Sequence, residues 1–408
     1  LEKMFRLNRN LPKEIKVLFI AILVISILGF SPNNQATNII QGERDDNQII
    51  NKGNSRVTGT GDNITDIKRD AGDMPVYDNW KSFTKKDGLP ANKSYCVRID
   101  EDRVLVGTSG GLGVYENGEW RTYTVEDGIA HNGILAIDVS ELTGDVWLGT
   151  LGGLTCWSGG RFVTYTQLNS GLANDVIYSV ICDREHVWSA TGGGAGDYNT
   201  YTDEWEIYME RNAPMHEPWT YGVCAGDDKI FIAAWGGGVI EFNTKTKKFR
   251  DYIDPDSQME LDVFPDDGVV HDITTGVSHA DGILWVATYF GVNRYDGAHW
   301  NTYFDHDSGL LSNFNNFCRA VGPVIYFCTD LGLSTFNGNK WVSYQRNENN
   351  TKGKIFVTNG PKTTEGAKKT EFSAPTSICH NFTIGVDVQD DEIWVATSYG
   401  VSRGERLK

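Results

Sequence analysis

The chain has 408 residues, 40% of them hydrophobic, enough for one large core or two ordinary ones. Its 45 glycines and 12 tryptophans point to a turn-dense all-β protein. A formal net charge of −17 argues against nucleic acid and against docking on an anionic bilayer face, and it favours a bound cation.

The N-terminus reads as a leader. Lys3, Arg6, Arg9, Lys13 and Lys16 precede an apolar run from Val17 to Phe30. That run is shorter than the roughly 20 residues of a spanning helix and suits a signal-peptide core. Residues 1–36 are therefore expected to be a signal peptide or an N-terminal anchor. The body would then be periplasmic or secreted, with any membrane contact, including an inner-membrane anchor, made through this segment alone. Residues 37–74 are polar, lack apolar periodicity, and are expected to be a disordered linker.

From Trp80 onward the sequence repeats. An aromatic opens each unit, at Trp80, Trp120, Phe162, Trp205, Phe249, Trp300 and Trp341. The spacings are 40, 42, 43, 44, 51 and 41 residues. Alternating phrases such as Trp120-Arg-Thr-Tyr-Thr and Phe162-Val-Thr-Tyr-Thr read as half-buried strands. An Asp/Ser-Gly-Leu turn follows, then a β-branched run, then a strand ending in Thr, then a Gly turn and a last strand. Four short strands at a period near 40 predict propeller blades. These strand phrases, from Val104–Thr108 to Ile393–Thr397, number seven, with Ile230–Ala234 ending in Ala where the other six end in Thr. The last unit lacks an outer aromatic strand and the first such strand, Trp80–Thr84, stands before the first unit. Residues 75–408 are therefore expected to form a complete seven-bladed all-β propeller of four-stranded blades, closed by the N-terminal strand pairing with the last blade. Closure would also remove the open sheet edges.

The repeat resembles the two-component regulator propeller family. The residues that carry the resemblance are Asp87-Gly88-Leu89-Pro90-Ala91-Asn92, Val146-Trp147-Leu148-Gly149-Thr150 with Leu151-Gly152-Gly153-Leu154, and Leu284-Trp285-Val286-Ala287-Thr288. It covers about residues 78–403. It implies a seven-bladed propeller serving as an exported sensor domain, although no kinase, receiver or DNA-binding segment is seen in the sequence. One stretch departs from the repeat. Residues 345–374 are rich in Asn, Thr, Lys and Gly and read as a low-complexity, disordered insertion. Its Lys352, Lys354, Lys362, Lys368 and Lys369 are either a docking patch or a solvated charge run.

One constellation bears on chemistry. Just before the innermost strand, four units carry His131-Asn132, His216-Glu217, His271-Asp272 and His380-Asn381; the others carry Ala91-Asn92, Asn174-Asp175 and Ser312-Asn313. A propeller brings equivalent loops together at the mouth of its central channel. His131, His216, His271 and His380 are thus candidate ligands for zinc, copper or manganese. Glu217 and Asp272 would be the catalytic carboxylates if the protein were an enzyme. The competing reading is that repeat copying spread a turn residue that caps a strand. Asn92, Asn132, Asn174, Asn313 and Asn381 share the face, with Trp235, Tyr289, Phe290 and Tyr399 as aromatic walls for a saccharide or peptide, or as packing between blades. Of the seven cysteines, only Cys318 and Cys328 fall on neighbouring strands of one blade; free thiols are the expected state.

Three functions remain open on the sequence. The first is an exported module that binds a small-molecule, saccharide or protein ligand through its channel face. The second is a metal-dependent polysaccharide lyase or hydrolase. The third is a structural subunit of an envelope complex.

Overall fold

A computed structural model describes residues 60–61, 64–255, 268–349, 351–362 and 367–408. It is all-β apart from single helical turns and one helix, Ile64–Ala71. Seven antiparallel sheets follow one another along the chain. Their innermost strands are Ser94–Asp100, Ile134–Val139, Ile177–Asp183, Thr220–Gly226, Thr274–Ala280, Asn315–Val321 and Thr383–Gln389, for blades 1 to 7. Each packs against the next, and blade 7 packs against blade 1, so the ring is closed.

The repeated phrases have mechanical roles. In six blades the second strand ends in a buried Thr whose hydroxyl donates to the carbonyl three residues on, as Thr108 to Gly111 at 2.8 Å, Thr150 to Gly153 at 2.7 Å and Thr397 to Gly400 at 2.9 Å. The same oxygen accepts the N–H two residues on, as from Gly110 at 3.0 Å. One hydroxyl thereby satisfies a whole tight turn. Blade 4 has Ala234 at this position, and Thr274 of blade 5 donates to the Ala234 and Gly238 carbonyls instead. The Gly of the Asp/Ser-Gly-Leu turn receives the aromatic that opens the next unit. A Cβ on Gly171 would stand 2.3 Å from the Cβ of Trp205, and one on Gly309 2.1 Å from that of Trp341. Consecutive blades interlock at these points.

Closure follows the expected route. The N-terminal strand Tyr77–Phe83 pairs antiparallel with Gly400–Arg406, placing Phe83 opposite Val401 and Ser82 opposite Ser402.

The structure departs from the sequence reading at two places. The described residues between 345 and 374 are ordered into strands rather than a disordered insertion. Strands Gly353–Asn359 and Lys369–Ala374 form a hairpin that widens blade 6, and Thr60–Gly61 adds a further, parallel strand. Alternate residues Ile355, Val357, Phe372 and Ala374 are buried, which is the pattern of a strand face. Three of the five lysines are engaged inside the fold. Lys354 pairs with Glu371 at 3.0 Å and Lys362 with Asp307 at 3.0 Å. Lys369 donates to the carbonyls of Asp305 and Leu310. The second departure is the helix Ile64–Ala71, inside the stretch read as a linker. Its Ile67 and Ala71, followed by Met74 and Val76, pack into the core of the widened blade. The apolar run Val17–Phe30 lies outside the described residues, among which no helix is long and apolar enough to cross a membrane. All seven cysteines are free, Cys318 and Cys328 included.

Candidate functional site

Every innermost strand carries a bulge at its second residue: Tyr95, Leu135, Tyr178, Tyr221, Thr275, Asn316 and Ile384 in turn. A bulge re-aims the extra side chain. Here it turns toward the neighbouring blade: Thr275 Oγ1 donates to the Asn315 carbonyl at 2.7 Å and Asn316 Nδ2 to the Thr383 carbonyl at 2.9 Å. At the same end, the turn between second and third strands is tied to the residue preceding the innermost strand, as Trp235 N–H is to the Trp219 carbonyl at 2.7 Å. Bulge and turn together make the rim of the channel mouth.

On blades 3 to 6 that rim is aromatic. Tyr178 stacks on Tyr221 with ring centres 4.3 Å apart. Tyr221 meets Trp235 at 5.0 Å, and Trp235 meets Tyr289 edge-on at 5.1 Å. Tyr289 meets Phe314 at 5.8 Å, Phe314 meets Phe290 at 6.3 Å, and Phe290 stacks on His271 at 4.3 Å. Each of these side chains is half-buried, so the arc keeps ring surface open to solvent. Burial pushes the Tyr289 hydroxyl up to about 12, so it stays protonated as a donor. Trp235, Tyr289 and Phe290 were expected at this face. Tyr178, Tyr221 and Phe314 were not, although Tyr178 and Tyr221 share the bulge position of their strands and Phe314 directly precedes the innermost strand of blade 6. Tyr399 stands apart on blade 7, 52% exposed.

Three of the four histidines take the capping role that was the competing reading of the sequence. His131 Nδ1 accepts the Gly133 N–H at 2.8 Å, His271 Nδ1 that of Ile273 at 2.9 Å, and His380 Nδ1 that of Phe382 at 3.0 Å. Asn174 Oδ1 and Ser312 Oγ do the same at their own positions, accepting from Val176 and Phe314. The shared role is a side-chain turn cap, open to His, Asn or Ser alike. A neutral imidazole that accepts at Nδ1 carries its proton on Nε2 and offers no lone pair there to a metal. His216 instead places Nε2 3.1 Å from Asp251 Oδ2. Among the described residues no three His, Cys, Asp or Glu side chains gather as a metal-holding group. Burial lowers His271 to about 4, which keeps it neutral.

In six of the seven units the next residue is a clamp. Asn92 Oδ1 accepts the Lys85 N–H, Asn132 that of Val125, Asn313 that of Asp305 and Asn381 that of Arg346, at 2.6–2.9 Å. Asp175 and Asp272 do likewise with Gln167 and Asp254. These side chains hold the incoming loop to the mouth. Burial raises the Asp272 carboxyl, and the Asp254 N–H opposes the rise.

Farther along the innermost strands lies a feature missed in the sequence. Arg319 of blade 6, Asp387 of blade 7, Arg98 of blade 1 and Asp138 of blade 2 alternate in sign around the channel. The separations are 2.7 Å for Arg319–Asp387, 3.4 Å for Arg98–Asp387 and 3.2 Å for Arg98–Asp138. The equivalent residues of blades 3 to 5 are Ile181, Cys224 and Ser278, all uncharged.

No protein-family model matches the chain, and no curated protein matches it. Solved structures do. The extracellular domain of the hybrid two-component system BT3049 from B. thetaiotaomicron is similar with a TM-score of 0.58 at 14% identity, over 81% of this chain and 42% of that one. The extracellular domain of BT4673 from the same organism gives 0.56 at 14%, over 79% and 39%. The chain thus spans about two fifths of these neighbours' length. Virginiamycin B lyase from Staphylococcus aureus gives 0.56 at 12% identity, over 82% of this chain and all of that one. At such identities the likeness is one of fold, and it bears out the seven-bladed propeller implied by the two-component regulator repeat.

Proposed function

We propose that the protein is an exported recognition module that binds a ligand at the channel mouth, on the aromatic arc of blades 3 to 6. The observation that carries this is the unbroken ring-to-ring contact from Tyr178 through Tyr221, Trp235 and Tyr289 to Phe314. Half-buried aromatic faces beside hydroxyl groups suit a ligand with flat, mixed-polarity surfaces. A structural role alone asks for no such one-sided rim, since blades 1, 2 and 7 close without it. Export and a sensory role are supported by the leader-like N-terminus and by the fold shared with extracellular domains of two-component systems. The test is a thermal-shift screen of the protein against saccharides, peptides and small cyclic acids, repeated with Trp235→Ala and Tyr221→Ala. A ligand that raises the melting temperature of the wild type should fail to do so in both variants. A ligand indifferent to both substitutions places recognition elsewhere and ends this reading.

A further inference from the structure

Lys93 directly precedes the innermost strand of blade 1, a position held elsewhere by Gly133, Val176, Trp219, Ile273, Phe314 and Phe382. It is the one cation among those seven residues. Its backbone carbonyl accepts the Ser109 N–H of the neighbouring turn, which fixes the residue on the rim. Its ammonium lies 5.1 Å from the centre of the Tyr95 ring, the bulged residue of the same strand. The side chain is half-buried, and burial pushes the amine below its ordinary value. A cation held in partly dehydrated surroundings gains when an anion arrives. In a closed ring of seven, blade 1 faces blades 4 and 5 across the axis. Those blades carry Tyr221, Trp235 and Tyr289, the middle of the arc.

Resting on the mouth as the binding site, we propose that its ligand is a cyclic acid: a flat ring laid on the arc, with a carboxylate or sulfate received by Lys93. The protein as a whole repels anions, so a single amine on the rim gives local selection without a generally basic surface. Two sources share this chemistry, an aromatic acid and an acidic sugar.

Calorimetric titration of the full chain with two matched pairs of probes tests the assignment. One pair is 2-naphthoate and 2-naphthamide; the other is 4-nitrophenyl β-D-glucuronide and the corresponding β-D-glucoside. The acid of one pair is expected to bind about tenfold more tightly than its neutral partner. The pair that shows the preference identifies the source. Lys93→Met should abolish the preference and Lys93→Arg should keep it, with unchanged melting temperatures. Equal affinity within both pairs, a preference that survives Lys93→Met, or no binding of any probe overturns the acid assignment. Trp235→Ala separates the two readings. Equal affinities abolished by Trp235→Ala remove the acid and keep the mouth, whereas an acid preference indifferent to Trp235→Ala removes the mouth.

Discussion

Replacing Asp387 by Ala should destabilise the propeller more than any other single change in the channel. Asp387 has a side chain only 3% exposed, and both its oxygens are committed. Oδ1 lies 2.7 Å from Arg319 Nε in an ion pair and accepts the Val388 N–H at 2.9 Å. Oδ2 receives the Ile99 N–H of blade 1 at 2.8 Å and lies 3.4 Å from Arg98 Nη1. One carboxylate thus ties blades 6, 7 and 1 across the seam where the ring closes. Removing one partner of a buried pair costs about 3–5 kcal/mol, because the other charge is left unpaired. Arg98 keeps Asp138, and Arg319 is 29% exposed and can hydrate, so the low end, about 3 kcal/mol, is the expected loss. Asp387→Asn keeps an acceptor for the Ile99 N–H and drops only the charge; about half that loss is expected. Equilibrium urea denaturation followed by tryptophan emission reads both as a lower midpoint at constant slope. An Asp387→Ala midpoint within about 0.5 kcal/mol of wild type would show that the alternating charges do not hold the seam.

Three other outcomes follow from the same contacts. His271 is held near 4, against about 6.5 when unfolded, so its contribution is present above pH 6.5 and lost as the pH falls toward 4. The gap corresponds to at most about 3 kcal/mol, and to about 2 kcal/mol for a half-buried ring; subtracting the pH profile of a His271→Gln variant isolates it. Gly309→Ala should cost about 3 kcal/mol, since the new methyl would meet Trp341, whereas Gly322→Ala, in open space at φ +53°, should cost about 1 kcal/mol; thermal unfolding of the two compares them. The protein purified without a histidine tag should carry zinc, copper or manganese well below one ion per chain, and His131→Ala/His271→Ala should leave that content unchanged in elemental mass spectrometry. Stoichiometric metal lost in the double variant would return the histidines to a ligand role.

The fold was legible because its signals are local. Gly171 and Gly309 are glycines because Trp205 and Trp341 stand against them, and the Thr of Val104–Thr108 is a threonine because one hydroxyl must close its turn. Repetition made these signals visible in unit after unit. The hairpin Gly353–Asn359/Lys369–Ala374 was missed because the segment's Asn, Gly and Lys content masked short alternations, Ile355/Val357 and Phe372/Ala374. The mouth was half legible. Register correctly brought His131, Asn174, His271, Ser312 and His380 to one structural position, but residue type cannot tell a ligand from a cap. Only the N–H two residues on, 2.8–3.1 Å from each acceptor, distinguishes them. The Arg319–Asp387–Arg98–Asp138 belt was invisible because its members come from four units far apart in sequence.

A repeat protein separates scaffold from recognition by where its copies agree. The turn threonine, the turn glycine and the Asn or Asp clamp recur because every blade needs the same backbone groups satisfied. The bulge residue is not held to one chemistry: Tyr95, Leu135, Tyr178, Tyr221, Thr275, Asn316 and Ile384 share a backbone position and almost nothing else. The fifth residue of the innermost strand diverges likewise, but there four copies have charges that pair with one another, so its divergence is explained by closure. On the rim, blades 3 to 6 hold rings that meet only along the arc, and Lys93 stands opposite them. On the proposed function, the rim's divergence from blade to blade is what a ligand bound at the mouth would leave in a repeat, where the divergence deeper in the channel answers to closure alone.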